Sequence, residues 1–404
     1  MAKENKSKGN VPNLRFSGFK ENWEMKRLGE IATNKSEKYN PVYETNSIRC
    51  IEMEHLATDT GQLLGYIDGS TTGSIKNVFN EGDVLFGKLR PYLKKYLQAP
   101  FDGVCSSEIW VLKGKNISND FLYRIVQSKS FIDLANQSSG SKMPRADWNV
   151  VESGFFSVPT LPEQMKISSF LSLIDERIQT QNKILQHYQS LIQNLREAIF
   201  KQKIGFKDKD GNAFPSWEIY KLKDIAERII RKNLDNNQNV LTISAQHGLI
   251  SQLEFFNKSV SAKNVEGYYL LKNGDFAYNK SYSTGYPMGA IKQLSKYDEG
   301  VVSTLYICFR FYEKANKDFM EHYFESQIQN NELEKIAQEG ARNHGLLNVG
   351  VGDFFNIEIK LPCIKEQVEI SKLFSSLSMR MNIENEILEK FKTQKVYLLK
   401  SLFI

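Results

Sequence analysis

The residue types needed for metal-dependent catalysis are present, but their spacing is not that of a catalytic site. Asp353, Glu358 and Lys360 have the types of a magnesium-dependent nuclease, yet the interval between the two carboxylates is short, which favours a polar strand edge. The five histidines stand apart and the four cysteines form no Cys-x-x-Cys pair, so neither a zinc site nor a disulfide framework is expected. The sequence has no Gly-x-x-x-x-Gly-Lys-Ser/Thr loop for ATP.

Asn40-Pro41-Val42-Tyr43 is the second candidate for chemistry. It is close to the Asn-Pro-Pro-Tyr motif of amino-methyltransferases, but Val42 stands in place of the second proline. No glycine-rich cofactor loop follows a strand upstream of it, as a cofactor site would require. We therefore expect a chain that is not an enzyme and that holds no cofactor and no metal of its own.

Four loops combine cations with aromatic, hydroxyl and amide side chains, which is the chemistry of DNA binding. Lysine and arginine hold phosphates, and flexible polar side chains read base edges in the grooves. The candidate DNA-binding residues are Lys88, Arg90, Tyr92, Lys94, Lys95, Ser141, Lys142, Arg145, Lys280, Tyr282, Ser283, Tyr286, Arg342, Asn343 and His344. A solvated surface loop is the alternative interpretation of any one of these segments. DNA binding is favoured because both loop types occur at equivalent places in two copies of one unit, with different side chains.

These two copies lie about 200 residues apart. Matched segments are 23–32 and 217–226, 82–86 and 274–278, 103–107 and 300–304, 148–150 and 347–349, and 163–164 and 366–367. The offset drifts from 192 (82 to 274) to 203 (163 to 366), as loop insertions and deletions after a duplication would produce. A protein made of two copies of one unit is expected to bind a target with two parts.

Length and composition are those of a protein with two or more packed domains. The chain has 404 residues, 41% of them hydrophobic, and a net charge of +6 that suits a nucleic-acid partner without establishing one. Residues 1–10 are polar, lack the apolar core of a signal peptide, and are expected to form a disordered tail. No apolar run is long enough to span a membrane, and scattered cysteines fit a reducing cytoplasm. The expected location is therefore cytoplasmic.

Each copy is predicted to contain a mixed α/β unit, at 11–157 and 206–360. β-rich runs between turn residues predict strands at 47–52, 83–86, 109–112, 240–243, 275–278 and 305–311. Amphipathic periodicity predicts one helix over 120–136 and another over 317–338.

A long amphipathic helix is predicted after each unit, within 158–205 and 361–404. From Glu163 to about Gln202 the hydrophobic period is a heptad, and Gly205 supplies a stop. The predicted coiled-coil seam is Ile167, Leu171, Ile174, Ile178, Leu185, Tyr188, Ile192, Leu195, Ile199, Ile370, Phe374, Leu377, Met381, Leu388, Phe391, Leu398 and Leu402. Packing of each helix on its own unit is the alternative, but a stripe this narrow favours a partner helix of the same shape. Gln181 and Glu384 occupy equivalent polar positions of the seam.

Connectivity favours antiparallel pairing of these helices. The second α/β unit leaves the end of the first helix and enters the start of the second, and antiparallel pairing places those two ends side by side. About 40 residues at ~1.5 Å each make helices of ~60 Å. The predicted fold is therefore α+β (mixed), with two pseudo-twofold-related α/β domains separated by an antiparallel coiled coil.

With this pattern the chain resembles the specificity subunit of Type I restriction-modification systems over nearly its whole length. The residues that carry the likeness are Trp-Glu-…-Leu-…-Ile-Ala at 23–32 and 217–226, Gly-Asp-…-Phe/Tyr at 82–86 and 274–278, and Pro-…-Glu-Gln at 159–164 and 362–367. The Glu-Gln helix start is the most specific marker because it occurs twice. Lys280-Ser281-Tyr282 replaces Lys88-Leu89-Arg90 in the second copy, so individual base contacts are not carried over from the family.

The resemblance implies two target-recognition domains, each of which reads one part of a split, asymmetric site in double-stranded DNA. It also implies assembly with two modification subunits, which bind S-adenosylmethionine and methylate adenine. Two restriction subunits, which use ATP and Mg, are implied as further partners. A self-contained methyltransferase or nuclease fused to a reader is one alternative, disfavoured because the two copies account for the whole sequence. A scaffold that binds proteins only is the other.

Overall fold

A computed structural model describes residues 11–44, 46–137, 143–245, 247–256, 265–337 and 347–403. The chain divides into two compact units. Unit 1 comprises Met1–Asn182 and Glu386–Ile404, and unit 2 comprises Lys183–Asn385. Each unit therefore contains one α/β half of the chain and a part of both long helices.

The first half is rich in short strands, and a helix of 40 residues follows it. Its strands and α-helices are β1 (Glu24–Arg27), α1 (Leu28–Ile31), β2 (Ala32–Thr33), β3 (Lys38–Tyr39), β4 (Arg49–Ile51), β5 (Ile67–Asp68), β6 (Lys76–Phe79), β7 (Val84–Gly87), β8 (Tyr96–Gln98), β9 (Gly103–Cys105), β10 (Ile109–Gly114), α2 (Asn119–Gln127), α3 (Lys129–Ala135), α4 (Trp148–Ser153), β11 (Phe155–Val158) and α5 (Leu161–Phe200). Short 3-10 helices lie at Met53–His55, Gly69–Thr71 and Pro91–Leu93.

The second half follows a similar order, with one strand fewer and one additional short helix, and ends in a helix of 39 residues. Its strands and α-helices are β12 (Glu218–Lys221), α6 (Leu222–Ile225), β13 (Ala226–Arg228), β14 (Leu241–Ser244), β15 (Gly248–Ser251), α7 (Gln252–Phe256), β16 (Tyr269–Lys272), β17 (Phe276–Asn279), β18 (Ala290–Gln293), β19 (Glu299–Val302), β20 (Ile307–Phe311), α8 (Lys317–Glu325), α9 (Asn330–Ile336), α10 (Val351–Phe355), β21 (Glu358–Leu361) and α11 (Ile364–Leu402).

Unit 1 is built on a four-stranded sheet in the order β2-β10-β7-β8 and a five-stranded sheet in the order β3-β6-β9-β4-β5. β1 pairs with β11, so that Glu24 lies opposite Val158. The run Val84-Leu85-Phe86 has no polar alternation because β7 is buried throughout. Phe86 packs edge-on against Phe131 of α3, with ring centroids 5.1 Å apart.

Unit 2 repeats the central sheet of unit 1 and differs outside it. Its four-stranded sheet has the order β13-β20-β17-β18, which is the topology of β2-β10-β7-β8, and β12 pairs with β21 as β1 does with β11. In place of a five-stranded sheet, the described residues form two separate pairs, β14-β15 and β16-β19. The duplication therefore preserves the core and changes the outer strands.

The strands predicted from the sequence are present as β4, β7, β10, β14, β17 and β20. The prediction of one continuous helix over 120–136 and another over 317–338 is wrong in one respect, because each segment forms two helices. Ser128 separates α2 from α3, since its extended backbone (φ −70°, ψ 151°) lets its side chain cap α3 at Phe131. Gln327, with φ of +59°, lies between α8 and α9. The predicted end of the second helix, Gln338, lies outside the described residues.

The long helices pair antiparallel within unit 1. As residue numbers rise along α5 they fall along α11: Leu171 shares a hydrophobic cluster with Leu402, and Asp175 pairs with Lys395 at 2.8 Å. Further along, the Arg177 guanidinium lies 5.9 Å from the centroid of the Phe391 ring.

The helices pair in the same sense within unit 2. Tyr188 is hydrogen-bonded to Arg380, and the Arg196 guanidinium lies 5.8 Å from the centroid of the Phe374 ring. Phe200 is stacked on Phe374 with an interplanar angle of 6°. Each residue predicted for the seam is buried or partly buried, and the antiparallel helix pair of the predicted fold class is confirmed.

The ends of α5 differ from the prediction by a few residues. The helix ends at Phe200, and Gln202, with φ of +57°, takes the stopping role expected of Gly205. The backbone N–H of Gln202 donates to Ile199 O at 2.9 Å. Pro162 lies in the first turn instead of before it, where a missing N–H removes no helical hydrogen bond.

Candidate nucleic-acid interface

Loop A, residues 87–96, leads from β7 to β8 and carries five of the predicted DNA contacts. Its first part runs beside the segment before α4. The backbone N–H of Arg90 donates to Pro144 O at 2.8 Å, and that of Ala146 donates to Lys88 O at 2.8 Å. The structure therefore brings Lys88 and Arg90 beside Arg145, which the sequence places in a separate loop.

The cations of loop A differ in what their side chains contact. Lys94 pairs with Asp59 at 3.0 Å, and both side chains are about half exposed. The Nζ of Lys95 donates to a backbone carbonyl, that of Met53, at 2.6 Å. Lys88 and Arg90 have no side-chain partner among the described residues. They are the cations of this loop that remain available to a phosphate.

The backbone of loop A is held in a rarely populated conformation. Arg90 has φ of +52° and Lys94 has φ of +49°, the left-handed region that non-glycine residues seldom adopt. These two residues flank the 3-10 helix Pro91–Leu93, from which Tyr92 projects with 54% of its surface exposed. Strained backbone persists only where surrounding contacts determine it, and here the Asp59 N–H donates to Lys94 O at 3.0 Å.

Arg145 lies at the edge of loop A and is paired with an acid. Its Nε donates to Glu108 Oε2 at 3.0 Å, and half of the side chain remains exposed. The backbone N–H of Lys88 donates to Glu108 O at 2.9 Å, so Glu108 binds both segments. Ser141 and Lys142, predicted for the same loop, lie outside the described residues.

Loop B, residues 279–286, follows β17 and is the counterpart of loop A. The backbone N–H of Leu347 donates to Lys280 O at 3.0 Å, as Ala146 donates to Lys88. Tyr282 is 61% exposed, and Ser283 exchanges backbone hydrogen bonds with Tyr286. Loop B therefore exposes Tyr282, and Lys280 is partly exposed. Arg342, Asn343 and His344, predicted for the neighbouring loop, lie outside the described residues.

The repeated Gly-Asp pair forms the turn that starts β7 and β17. Gly82 and Gly274 have φ of +83° and +89°, which glycine adopts without strain. The carboxylates of Asp83 and Asp275 accept the backbone N–H three residues upstream, at 2.8 Å and 2.7 Å. Asp275 is fully buried and also pairs with Arg310 at 2.6 Å. The motif fixes the strands from which loops A and B extend.

The glutamine of the repeated Glu-Gln pair ties the long helices to the α/β halves. Oε1 of Gln164 accepts the backbone N–H of Ser118 at 3.1 Å, and Oε1 of Gln367 accepts that of Asn316 at 2.8 Å. Ser118 and Asn316 are the N-caps of α2 and α8. Each glutamine also donates to the carbonyl of the proline five residues upstream, at 2.9 Å. The glutamine of each Glu-Gln pair therefore joins a long helix to the start of a second helix, a role that the sequence spacing alone did not predict.

The glutamate of the pair has a different partner in each half. Glu163 is almost fully buried and accepts two hydrogen bonds from Arg15, both at 2.8 Å. Glu366 is equally buried but has no cationic partner among the described residues; it accepts from the Trp217 side chain and the Phe206 N–H. Burial raises the pKa of Glu366, and these hydrogen bonds oppose the rise.

The family to which the repeated unit belongs follows from comparison with known proteins. The sequence profile described as "Type I restriction modification DNA specificity domain" matches residues 20–187 and 215–393. The chain belongs to this family. It carries two specificity domains in tandem, and each match contains one α/β half together with most of the long helix that follows it.

Curated relatives of the specificity domains are specificity subunits. The "Type I restriction enzyme EcoDI specificity subunit" of Escherichia coli is 29% identical over 200 residues, which are 48% of this chain and 42% of that subunit. The MjaVIII specificity subunit of Methanocaldococcus jannaschii is 24% identical over 429 residues, covering 94% of this chain and 92% of that subunit. The chain therefore spans less than half of the first relative and nearly all of the second.

Solved structures share the fold of the two specificity domains. The Type I restriction-modification S subunit from M. genitalium has a TM-score of 0.56 at 11% identity, and the match covers 98% of this chain and 99% of that one. A chain from a study of assembly and conformational transition of the type I R-M system has a TM-score of 0.56 at 15% identity, with 94% and 97% covered.

The two motifs considered for catalysis lie one in each α/β half. Asn40 Oδ1 accepts the backbone N–H of Val42 at 3.1 Å, so its amide closes a turn. Glu358 and Lys360 lie on the exposed face of β21, and Asp353 belongs to α10. In the described parts of the chain, no group of three His, Cys, Asp or Glu is placed to hold a metal ion. The described helices also include none that is long and apolar enough to cross a membrane.

Proposed function

We propose that this chain is the DNA-reading subunit of a Type I restriction-modification complex, in which each specificity domain reads one part of a bipartite, asymmetric site. The observation that carries the proposal is the pair of family matches on halves with one core topology and unlike loops. A shared scaffold with divergent loops is the arrangement that two readers of different sequences require. Loop A supplies cations and an exposed tyrosine, whereas loop B supplies hydroxyl groups and one lysine.

The chain itself does no chemistry in this proposal and works in the cytoplasm. Two modification subunits would bring S-adenosylmethionine and methylate adenine, and two restriction subunits would bring ATP and Mg. This chain would direct both kinds of partner subunit to the DNA site. The support for this division is that Asn40 closes a turn, and that Asp353 lies on α10 whereas Glu358 and Lys360 lie on β21.

Selection from random DNA tests the proposed function. The chain, co-expressed with the modification subunit of its own system, is incubated with duplexes of random sequence, and bound duplexes are sequenced. We expect two short sequences separated by a fixed gap. Half-sites about one turn apart, ~34–36 Å, present the same face of the duplex. A single uninterrupted sequence, or no preference, would contradict the proposal. Equilibrium dialysis of this chain alone with labelled S-adenosylmethionine should show no binding.

A further inference from the structure

Loop B is attached to the body of unit 2 through the side chain of Tyr286. Its hydroxyl donates to Glu325 Oε2 at 2.8 Å and accepts from the Nζ of Lys292 at 3.1 Å. Glu325 is the last residue of α8, and Lys292 lies on β18. The far end of the loop is thus fixed to a helix and to a strand of the central sheet at once.

The two charged groups that hold Tyr286 are themselves paired and largely buried. The Lys292 ammonium contacts Glu325 Oε1, and the two side chains are 7% and 17% exposed. The same ammonium lies 4.5 Å from the centroid of the Tyr286 ring, a favourable cation–π distance. Burial raises the pKa of Tyr286, and the Glu325 charge adds to the rise. The phenol therefore stays protonated at neutral pH and donates to the carboxylate.

Two further hydrogen bonds hold the same end of the loop. Nε2 of Gln327 donates to Gly285 O at 2.8 Å, and Gln327 adopts the left-handed backbone conformation that ends α8. The Tyr278 hydroxyl donates to Met288 O at 2.9 Å. At the near end of the loop, the backbone N–H of Leu347 donates to Lys280 O. The residues between Lys280 and Gly285 are therefore held by hydrogen bonds at both ends.

We propose that Tyr286 is a positioning residue that, with Glu325 and Lys292, holds loop B in the conformation that reads the second half-site. The inference rests on the proposed function and deepens it. Tyr286 was a predicted DNA contact, but its hydroxyl already has a donor and an acceptor inside the protein. A loop fixed before binding discriminates between bases because it cannot repack around a wrong base, whereas a flexible loop accommodates several partners.

Unit 1 provides an internal comparison because loop A is held by different residues. Strand register places Leu97 where β18 has Lys292, and Gln127 ends α2 as Glu325 ends α8. Loop A is held by Asp59 instead, which pairs with Lys94 and accepts a hydrogen bond from the Tyr96 hydroxyl at 3.3 Å. Removal of either tyrosine hydroxyl should therefore affect one half-site and not the other.

The test compares Tyr286→Phe with Tyr96→Phe in the complex with the modification subunit. Phenylalanine removes the hydroxyl, keeps the ring over Lys292, and leaves the buried Lys292–Glu325 pair intact. Binding is measured for the selected site and for duplexes that carry single substitutions in either half-site. Tyr286→Phe removes both hydrogen bonds of the hydroxyl. We expect it to reduce discrimination in the second half-site about 5- to 10-fold, within the range of a net hydrogen-bond contribution. First half-site discrimination should be unchanged, and Tyr96→Phe should show the reverse.

Gln327→Asn keeps the inference testable if Tyr286→Phe does not fold. Asparagine tolerates the left-handed backbone and is too short to reach Gly285. The change therefore removes one hydrogen bond to loop B from a partly exposed position. A loss of discrimination between bases that is confined to the second half-site supports the proposal. If the variants discriminate between bases in the second half-site as well as the wild type does, the proposed role of Tyr286 is wrong. It is also wrong if discrimination falls equally in both half-sites. Neither result would affect the bipartite site of the wild-type complex. If the wild-type complex shows no bipartite site, the proposed function fails instead.

Discussion

Charge on loop A is divided between cations with a protein partner and cations without one. Lys94 and Lys95 are engaged with Asp59 and the Met53 carbonyl, whereas Lys88 and Arg90 have no side-chain partner in the described part of the chain. We expect Lys88→Gln with Arg90→Gln to weaken binding to all sequences alike and to flatten the dependence of log K on log salt by about two units.

Two double variants serve as comparisons in that experiment. Lys94→Ala with Lys95→Ala should flatten the salt slope by less than the Lys88 and Arg90 changes, because these cations are already bound within the protein. Lys129→Gln with Lys201→Gln removes two exposed lysines that pair with acids four residues away in the sequence, and the slope should stay as in the wild type. An altered preference among sequences at an unchanged slope would contradict phosphate binding by Lys88 and Arg90.

The two Glu-Gln glutamates should respond oppositely to loss of charge. Glu163→Gln leaves Arg15 without its bidentate carboxylate partner, and we expect the free energy of unfolding to fall by about 2 kcal/mol, as for a lost hydrogen bond to a charged group. Glu366→Gln removes a buried charge that has no cationic partner in the described residues and keeps an acceptor for Trp217. Urea unfolding at pH 7 should therefore show a lower midpoint for the first variant and an equal or higher midpoint for the second.

The effect of Glu366→Gln should depend on pH in one direction. Because the pKa of Glu366 is raised in the folded chain, the protonated form contributes stability that is present below the ordinary carboxyl pKa. That stability is lost as the pH rises through the raised value. We expect the midpoints of wild type and variant to converge near pH 4 and the variant to be the more stable at pH 8. Convergence at high pH instead would show that the charged form is favoured.

Residue types at the interface were predictable from the sequence, but their partners were not. The run of cations in loop A contains no acid within ten residues, which predicted that all of them face phosphates. Asp59, which pairs with Lys94, lies 35 residues upstream and is brought there by folding. The same holds for Tyr286, whose carboxylate partner, Glu325, lies 39 residues downstream. Composition identifies candidate contacts, and tertiary structure decides which side chains are available.

At the scale of elements, the heptad pattern should predict which leucines stabilise the helix pair. Leu171 is fully buried in the unit 1 core, whereas Leu173, on the same helix, is 56% exposed. We expect Leu171→Ala to lower the free energy of unfolding by about 3 kcal/mol because it leaves a cavity. Leu173→Ala, the matched control, should change it by less than ~0.5 kcal/mol. Equal effects in urea titrations would mean that the seam is misassigned.

The breaks between α2 and α3 and between α8 and α9 could not be predicted from the sequence pattern. The 120–136 pattern is amphipathic throughout, and only the side-chain cap from Ser128 to the Phe131 N–H ends one helix and starts another. At the second break Gln327 adopts a left-handed conformation that its residue type does not favour. The second break ends α8 at Glu325, which reaches Lys292 of the central sheet. Periodicity detects helices well but does not detect local caps.

At the scale of the whole molecule, each half has its own central sheet and loops, so DNA preference should divide between them. Replacing 11–157 with the corresponding segment of a relative should change one part of the methylated motif and leave the other part intact. Sequencing of methylated bases in cells that express the complex measures both parts together. A simultaneous change of both parts would contradict two independent readers.

The paired helices should also set the gap between the two parts of the motif. Four residues added near Ser190 of α5 lengthen the helix by ~6 Å, close to two base pairs of DNA, and nearly keep the heptad phase. Four more residues at Met379 of α11, next to the Arg380 that binds Tyr188, preserve the pairing. We expect the methylated motif to keep both sequences and to gain about two base pairs of gap.

A matched insertion separates helix length from chain length. Four residues added to the exposed turn at 208–212, where the Gly211 N–H donates to Asp208 O at 3.1 Å, lengthen the chain without lengthening a helix. The gap should then stay as in the wild type. A gap that grows with either insertion would mean that chain length sets the spacing. A gap that grows with neither would mean that the helices only connect the two readers, and that the partner subunits fix the distance between half-sites.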